Sequence, residues 1–129
     1  MSDKFTVEII SPDKSIFNSE AKEVTIPSYE GQMGILKNHI PLITFLRPGI
    51  ISIQNQDEKK YFVEEGTVEF SNDNLLVLTS TAKDLTDLTQ TSIEELLNQA
   101  ENELSDNNSS DKEKYLLSYK ISTLKEINQ

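Results

Sequence analysis

The chain has 129 residues, a net charge of −10 and no cysteine. The charge argues against nucleic-acid binding, which needs Lys and Arg against phosphate, and against docking on anionic lipid through a basic patch. The lack of cysteine excludes a disulfide framework and thiolate chemistry. The length suits one domain, or one small domain with an appendage. No apolar run approaches the roughly 20 residues of a spanning helix, so direct membrane insertion is not expected. The start, MSDKFTVEII, has neither a signal-peptide core nor an Arg-rich presequence and reads as that of a mature intracellular protein.

Phe5, Val7 and Ile9 alternate with Thr6 and Glu8, the mark of a half-buried strand. Ser11, Pro12 and Asp13 make a turn. Ile16 and Phe17 start a second short strand, broken by Asn18 and Ser19. Val24 and Ile26 make a third, which ends before Pro27. Residues 28–49, SYEGQMGILKNHIPLITFLRPG, hold three of the four glycines, the only histidine and the only arginine. Within them a short strand is predicted at 33–36 and a longer one near 42–46. Ile51 and Ile53 then share a face, and a polar turn at 55–58 leads to Tyr61 and Val63, with Phe62 on the other face. Glu65-Gly66 is a tight turn, Val68 and Phe70 alternate with polar neighbours, and residues 72–74 turn the chain again. Residues 75–78 form an apolar run too short for a helix. About eight or nine short strands in about 80 residues suggest an all-β sandwich or barrel. No helical crossover fits between them, so parallel βαβ units are not expected.

Beyond Gly66 there is no Gly or Pro. Ser92 and Glu95, three residues apart, form a capping-box pattern. Ile93, Leu96, Leu97, Ala100 and Leu104 follow as one helical stripe. Residues 106–110 are a polar break, and Ser110 with Glu113 repeats the capping pattern. Leu117, Ile121 and Leu124 line a second stripe, widened by Leu116, Tyr119 and Ile127. Two capped helices with a short loop make an αα-hairpin. Helices this short are marginal alone, so each must bury its stripe on the other or on the sandwich. Residues 82–91 read as a connector. The expected division is residues 1–84 as a β domain and residues 85–129 as a helical hairpin.

Candidate chemistry is sparse. His39 has no second His or Cys for a metal pair or relay, and a turn cap or subunit contact suits it better than catalysis. Asp57-Glu58 and Glu64-Glu65 are adjacent pairs, which point to opposite faces of a strand and do not converge. Asp84 and Asp87 lack the loop of an EF-hand. Gly31 and Gly34 lack the Lys and helix of a phosphate loop. No catalytic, cofactor-binding or metal-binding residue is assigned. Gly31 and Gly34 serve backbone geometry, and Ile35, Leu42, Ile43 and Phe45 are expected in the core. The exposed remainder (Glu30, Gly31, Gln32, Met33, Lys37, Asn38 and His39) forms the candidate partner-binding site, because binding residues favour loops on a rigid scaffold.

The run EGQMGILKNHIPLITFLRPGIISI, residues 30–53, resembles the signature of the epsilon subunit of rotary (F-type) ATP synthases. Glu30, Gly31, Gly34, Ile35, His39, Pro41, Leu42, Pro48 and Gly49 match in order and spacing. Lys37-Asn38 stands where Pro-Gly is usual, Ile40 where Ala is usual, and Gln32 where the family often has an acid. The resemblance implies an N-terminal antiparallel β-sandwich followed by a C-terminal two-helix antiparallel hairpin. It implies a non-catalytic central-stalk subunit of a proton-transporting ATP synthase, on the cytoplasmic face of the cell (inner) membrane. Its implied partners are gamma and the c-ring, with transient contact between the hairpin and the alpha/beta head that inhibits ATP hydrolysis. Some family members hold ATP through an I/L-D-x-x-R-A motif. Here Leu88 fits, but Thr89, Ser92 and Ile93 stand for Asp, Arg and Ala, and no arginine follows Arg47, so no ATP binding is expected. The alternative class is a stand-alone small β-sandwich enzyme or ligand-binding module.

Overall fold

Alternation does most of the folding. The computed structural model describes residues 3–128 and contains β1 (Phe5–Ile10), β2 (Ser15–Ala21), β3 (Glu23–Ser28), β4 (Gly31–Leu36) and β5 (Leu42–Leu46). Then come β6 (Gly49–Gln54), β7 (Glu58–Val63), β8 (Gly66–Ser71), β9 (Asn74–Leu78) and the two-residue β10 (Lys83–Asp84). A 3-10 turn (Leu85–Asp87) leads to α1 (Gln90–Leu104) and α2 (Asp111–Ile127).

The strands follow the order β10-β7-β6-β3-β5-β8-β9-β1-β2, with β4 paired to β3. A single bridge, Ser28 to Leu46, joins β3 to β5. At this corner the sheet folds into two layers, and their inward residues make one core. Val7, Ile9, Val68, Phe70, Leu75 and Val77 come from one layer; Val24, Ile26, Ile35, Ile51, Ile53, Tyr61 and Val63 come from the other. The T-shaped contact of Phe17 on β2 with Tyr61 on β7 brings the far edges together as well. The result is the expected β-sandwich, antiparallel except where β1 and β9 run parallel. That pair needs no βαβ crossover, because its connection is the rest of the sandwich.

Three local expectations are corrected. β2 runs straight through Asn18 and Ser19, whose partners Glu8 and Val7 hold them in register. Pro27 lies inside β3 opposite Gln32 rather than after the strand; proline lacks only the donor, and its carbonyl accepts from Arg47 N at 2.9 Å. The first helix starts earlier, at the cap Thr89, whose side chain accepts from Ser92 N while Ser92 Oγ accepts from Thr89 N. Ser92 is the third helical residue of that box, not its cap. The Ser110 cap stands as expected, accepting from Glu113 N.

The hairpin buries its stripes on both available surfaces. Ala100, Leu117 and Ile121 form the seam between the helices. Ile93 and Leu124 close over Phe62, the residue of β7 that points away from the sandwich core. Leu85 and Leu88 of the connector pack there too. Lys59 on β7 pairs with Asp84 at 2.6 Å and ties the connector to the sheet. The bond from Lys59 holds the Asp84 carboxyl below its ordinary value, and Asp84 in turn holds the ammonium above its own.

Candidate docking surface

The candidate partner-binding residues fall at two ends of one strand. Ser28 Oγ donates to Gly31 O at 2.7 Å and accepts from Glu30 N, which shapes a turn with Gly31 at φ 125°. A Cβ is disfavoured at that φ, so glycine is required for backbone reasons alone. Glu30, Gly31 and Gln32 lie at this end. Lys37, Asn38 and His39 lie at the other end of β4, about 20 Å away at ~3.3 Å per residue. Met33 sits between, partly buried against the core. Asn38 takes a positive φ of 69° and donates its N–H to Asp73 Oδ1 at 2.7 Å, so this end leans on the β8–β9 turn. His39 hydrogen-bonds through Nδ1 with the Ile40 carbonyl and meets the Phe70 ring edge-on at 5.9 Å. The seven residues are therefore not one patch.

Between the two ends lies a surface absent from the expectations. Ile43 and Phe45 are 76% and 59% exposed, not core. β5 reads LITFL, so Leu42, Thr44 and Leu46 face inward and Ile43 and Phe45 face outward. Phe45 stands opposite Thr67, Thr67 opposite Leu78, and Leu78 opposite Ile10, a row across four strands. Leu78 is also exposed, and Ile40, beyond the β4 end, is 74% exposed. The whole row, Phe45, Thr67, Leu78 and Ile10, lines an open groove of about 950 Å³, together with Pro12, Tyr29, Gly66 and Lys112 among others. The apolar run of residues 42–46 was the available signal: a strand apolar on both faces is usually covered on both.

The carboxylate pairs are occupied separately. Glu58 accepts from Gln54 Nε2 at 2.9 Å and from Ser52 Oγ at 3.1 Å, and these bonds, the Gln54 one foremost, hold it below its ordinary value. Glu64 pairs with Lys120 of α2 at 2.7 Å. The Glu64 and Glu65 amides donate to Thr81 Oγ1, and Thr79 Oγ1 donates to Glu65 O. These groups hold a turn and a helix. Among the described residues, no group of three or more His, Asp or Glu is placed to hold a metal. No helix among them is long and apolar enough to cross a membrane.

Fold and surface together define a class: a β-sandwich carrying a docked helical hairpin on one layer and a bare apolar row on the other. Residues 4–84 match the model of the ATP synthase Delta/Epsilon chain beta-sandwich domain. Over 130 aligned residues the chain is 47% identical to the ATP synthase epsilon chain of Pelagibacter ubique, covering 99% of this chain and 100% of that one. The ATP synthase epsilon chain of Parvibaculum lavamentivorans is 33% identical, with 98% and 97% covered. Among solved structures, a chain of the Euglena gracilis mitochondrial ATP synthase superposes with a TM-score of 0.83 at 16% identity, covering 100% of this chain and 84% of that one. A chain of the Tetrahymena thermophila mitochondrial ATP synthase central stalk and c-ring gives 0.65 at 12% identity, with 96% of each covered. The chain belongs to the epsilon-subunit family of rotary ATP synthases.

Proposed function

We propose that this chain is a non-catalytic rotor subunit that docks gamma on the outer face of β5-β8-β9-β1 and meets the c-ring through the turn at Glu30, Gly31 and Gln32. The observation that carries this reading is one sheet face that leaves Ile43, Phe45 and Leu78 exposed. Contiguous apolar surface of this kind marks a protein contact, and a lasting contact buries it. Gamma, as a permanent companion in the stalk, suits that face. The polar Glu30 turn suits a contact made at the rim. Lys37, Asn38 and His39 extend the gamma-facing edge. The subunit is then peripheral, at the cytoplasmic face of the cell (inner) membrane, and performs no bond chemistry.

The sandwich and the hairpin divide the work. Residues 1–84 bind the rotor; residues 85–129 form a regulatory element that contacts the alpha/beta head when released and slows ATP hydrolysis. Support for this division comes from the separate core of the sandwich and the modest, partly polar contact under the hairpin. Tagged protein incubated with solubilised membranes should recover alpha, beta, gamma and c subunits. Recovery of none of them, with the tagged protein folded, would sink the proposal.

A further inference from the structure

We propose that the first turns of α2 are part of the gamma-docking surface, so that gamma and the docked hairpin hold each other in place. This rests on the docking reading above and adds a consequence to it. The groove along the row is not built by the sandwich alone. Ile10, Pro12, Tyr29, Phe45 and Leu78 line it from the strands and loops, and Lys112, from the first turn of α2, lines it from the hairpin.

One turn further along α2, Tyr115 stacks on Tyr29 with ring centroids 6.2 Å apart and planes 7° from parallel. Tyr29 therefore belongs to both the groove and the hairpin contact. Arg47, the only arginine, fastens the stack. Its Nη1 donates to Tyr115 Oη at 3.2 Å, and its guanidinium carbon lies 3.9 Å from the centroid of Tyr119. A guanidinium over a tyrosine face is an attractive arrangement, and a lysine would not give the same planar fit. The Glu64–Lys120 pair makes a further tie one turn along. Arg47, Tyr119 and Lys120 do not line the groove, whereas Tyr29 and Lys112 do. Tyr29 and Tyr115 are each left 38% exposed, an edge that a partner in the groove could cover.

A partner seated in this groove meets a different surface when the hairpin leaves. The Lys112 side is gone, and Tyr29 has lost its stacking partner. A ligand with different affinities for two states shifts the equilibrium between them, and the coupling is reciprocal. Gamma bound in the groove therefore favours the docked hairpin, and loosening the hairpin weakens gamma by the same coupling.

The test uses the full chain and the gamma subunit of its own complex. Amide hydrogen exchange is followed at residues 121–124 of α2, which lie outside the groove, with and without gamma. Gamma should slow exchange there by about fivefold or more, the lower end of ordinary coupling. Tyr119→Ala and Arg47→Gln, outside the groove lining, should speed the same amides and weaken gamma binding, with the exchange of β8 and β9 amides unchanged. Gamma that binds at wild-type affinity to both variants, and leaves α2 exchange unaltered, would overturn the coupling while the docking reading stands. Gamma that does not bind the wild-type chain would overturn both.

Discussion

Phe62→Ala separates the sandwich from its hairpin. Phe62 is fully buried, but its neighbours are Ile93 and Leu124 of the helices and Leu85 and Leu88 of the connector, not the sandwich core. Truncating a buried Phe costs about 3–5 kcal/mol where the surroundings cannot collapse. Here the loss falls on hairpin docking and is capped by the docking free energy. In the full chain, amides of α1 and α2 should lose protection toward that of a released hairpin, while amides of β1, β8 and β9 keep theirs. In residues 1–84 alone, which lack Leu85, Leu88 and both helices, the same substitution removes a ring from an uncovered sheet face and should change stability by less than about 1 kcal/mol, as surface substitutions do. The assay is hydrogen exchange on the full chain paired with urea unfolding of the short one. An equal loss of several kcal/mol in both would refute this division, because Phe62 would then support the sandwich itself.

Gly49→Ala should destabilise the sandwich by about 1–3 kcal/mol, since an added Cβ would stand 2.4 Å from Pro27 Cβ; an unchanged urea midpoint would show that the β3–β6 approach yields without cost. Asp84→Asn keeps the oxygen that caps the 3-10 turn and removes the charge facing Lys59. Asp84 is held below its ordinary 3.8, so its contribution is full above that value and is lost as pH falls through the lower folded value; Lys59 is held above its ordinary 10.5, so its contribution is full below that value and is lost as pH rises through the higher one. The wild type should therefore melt above the variant near neutral pH, with the gap closing below pH 3.8; a gap that persists in strong acid would contradict the assignment. Titration with millimolar ATP and magnesium should give no heat of binding, because the lysines of α2 are flexible point charges and Arg47 is already engaged by Tyr115 and Tyr119; a saturable micromolar isotherm would overturn this.

The fold was legible because strands and helices announce themselves by period. Phe5, Val7 and Ile9 read inward, and Phe62 read outward against Tyr61 and Val63, as they are. The errors came where a local rule met a long-range partner. Asn18 and Ser19 look like a break, yet pairing with β1 carries them as strand. Ile43 and Phe45 read as core because composition gives apolarity and not the identity of what covers it. The candidate site residues were close in sequence but spread along β4, since a strand carries its two ends far apart. Arg47 stands out in the sequence as the lone arginine; its place against α2 depends on how the hairpin lies over the β5–β6 corner, which no spacing reveals.

The docking claim is met most directly by the affinity of the full chain for gamma with Phe45→Lys in place. Phe45 is exposed in the free chain, so its melting temperature should hold within the scatter of surface substitutions. If the β5 face is where gamma sits, a charge at its aromatic anchor should cost about 2 kcal/mol or more, roughly a thirtyfold rise in Kd. Gamma bound at wild-type affinity by a folded Phe45→Lys chain would place the interface elsewhere.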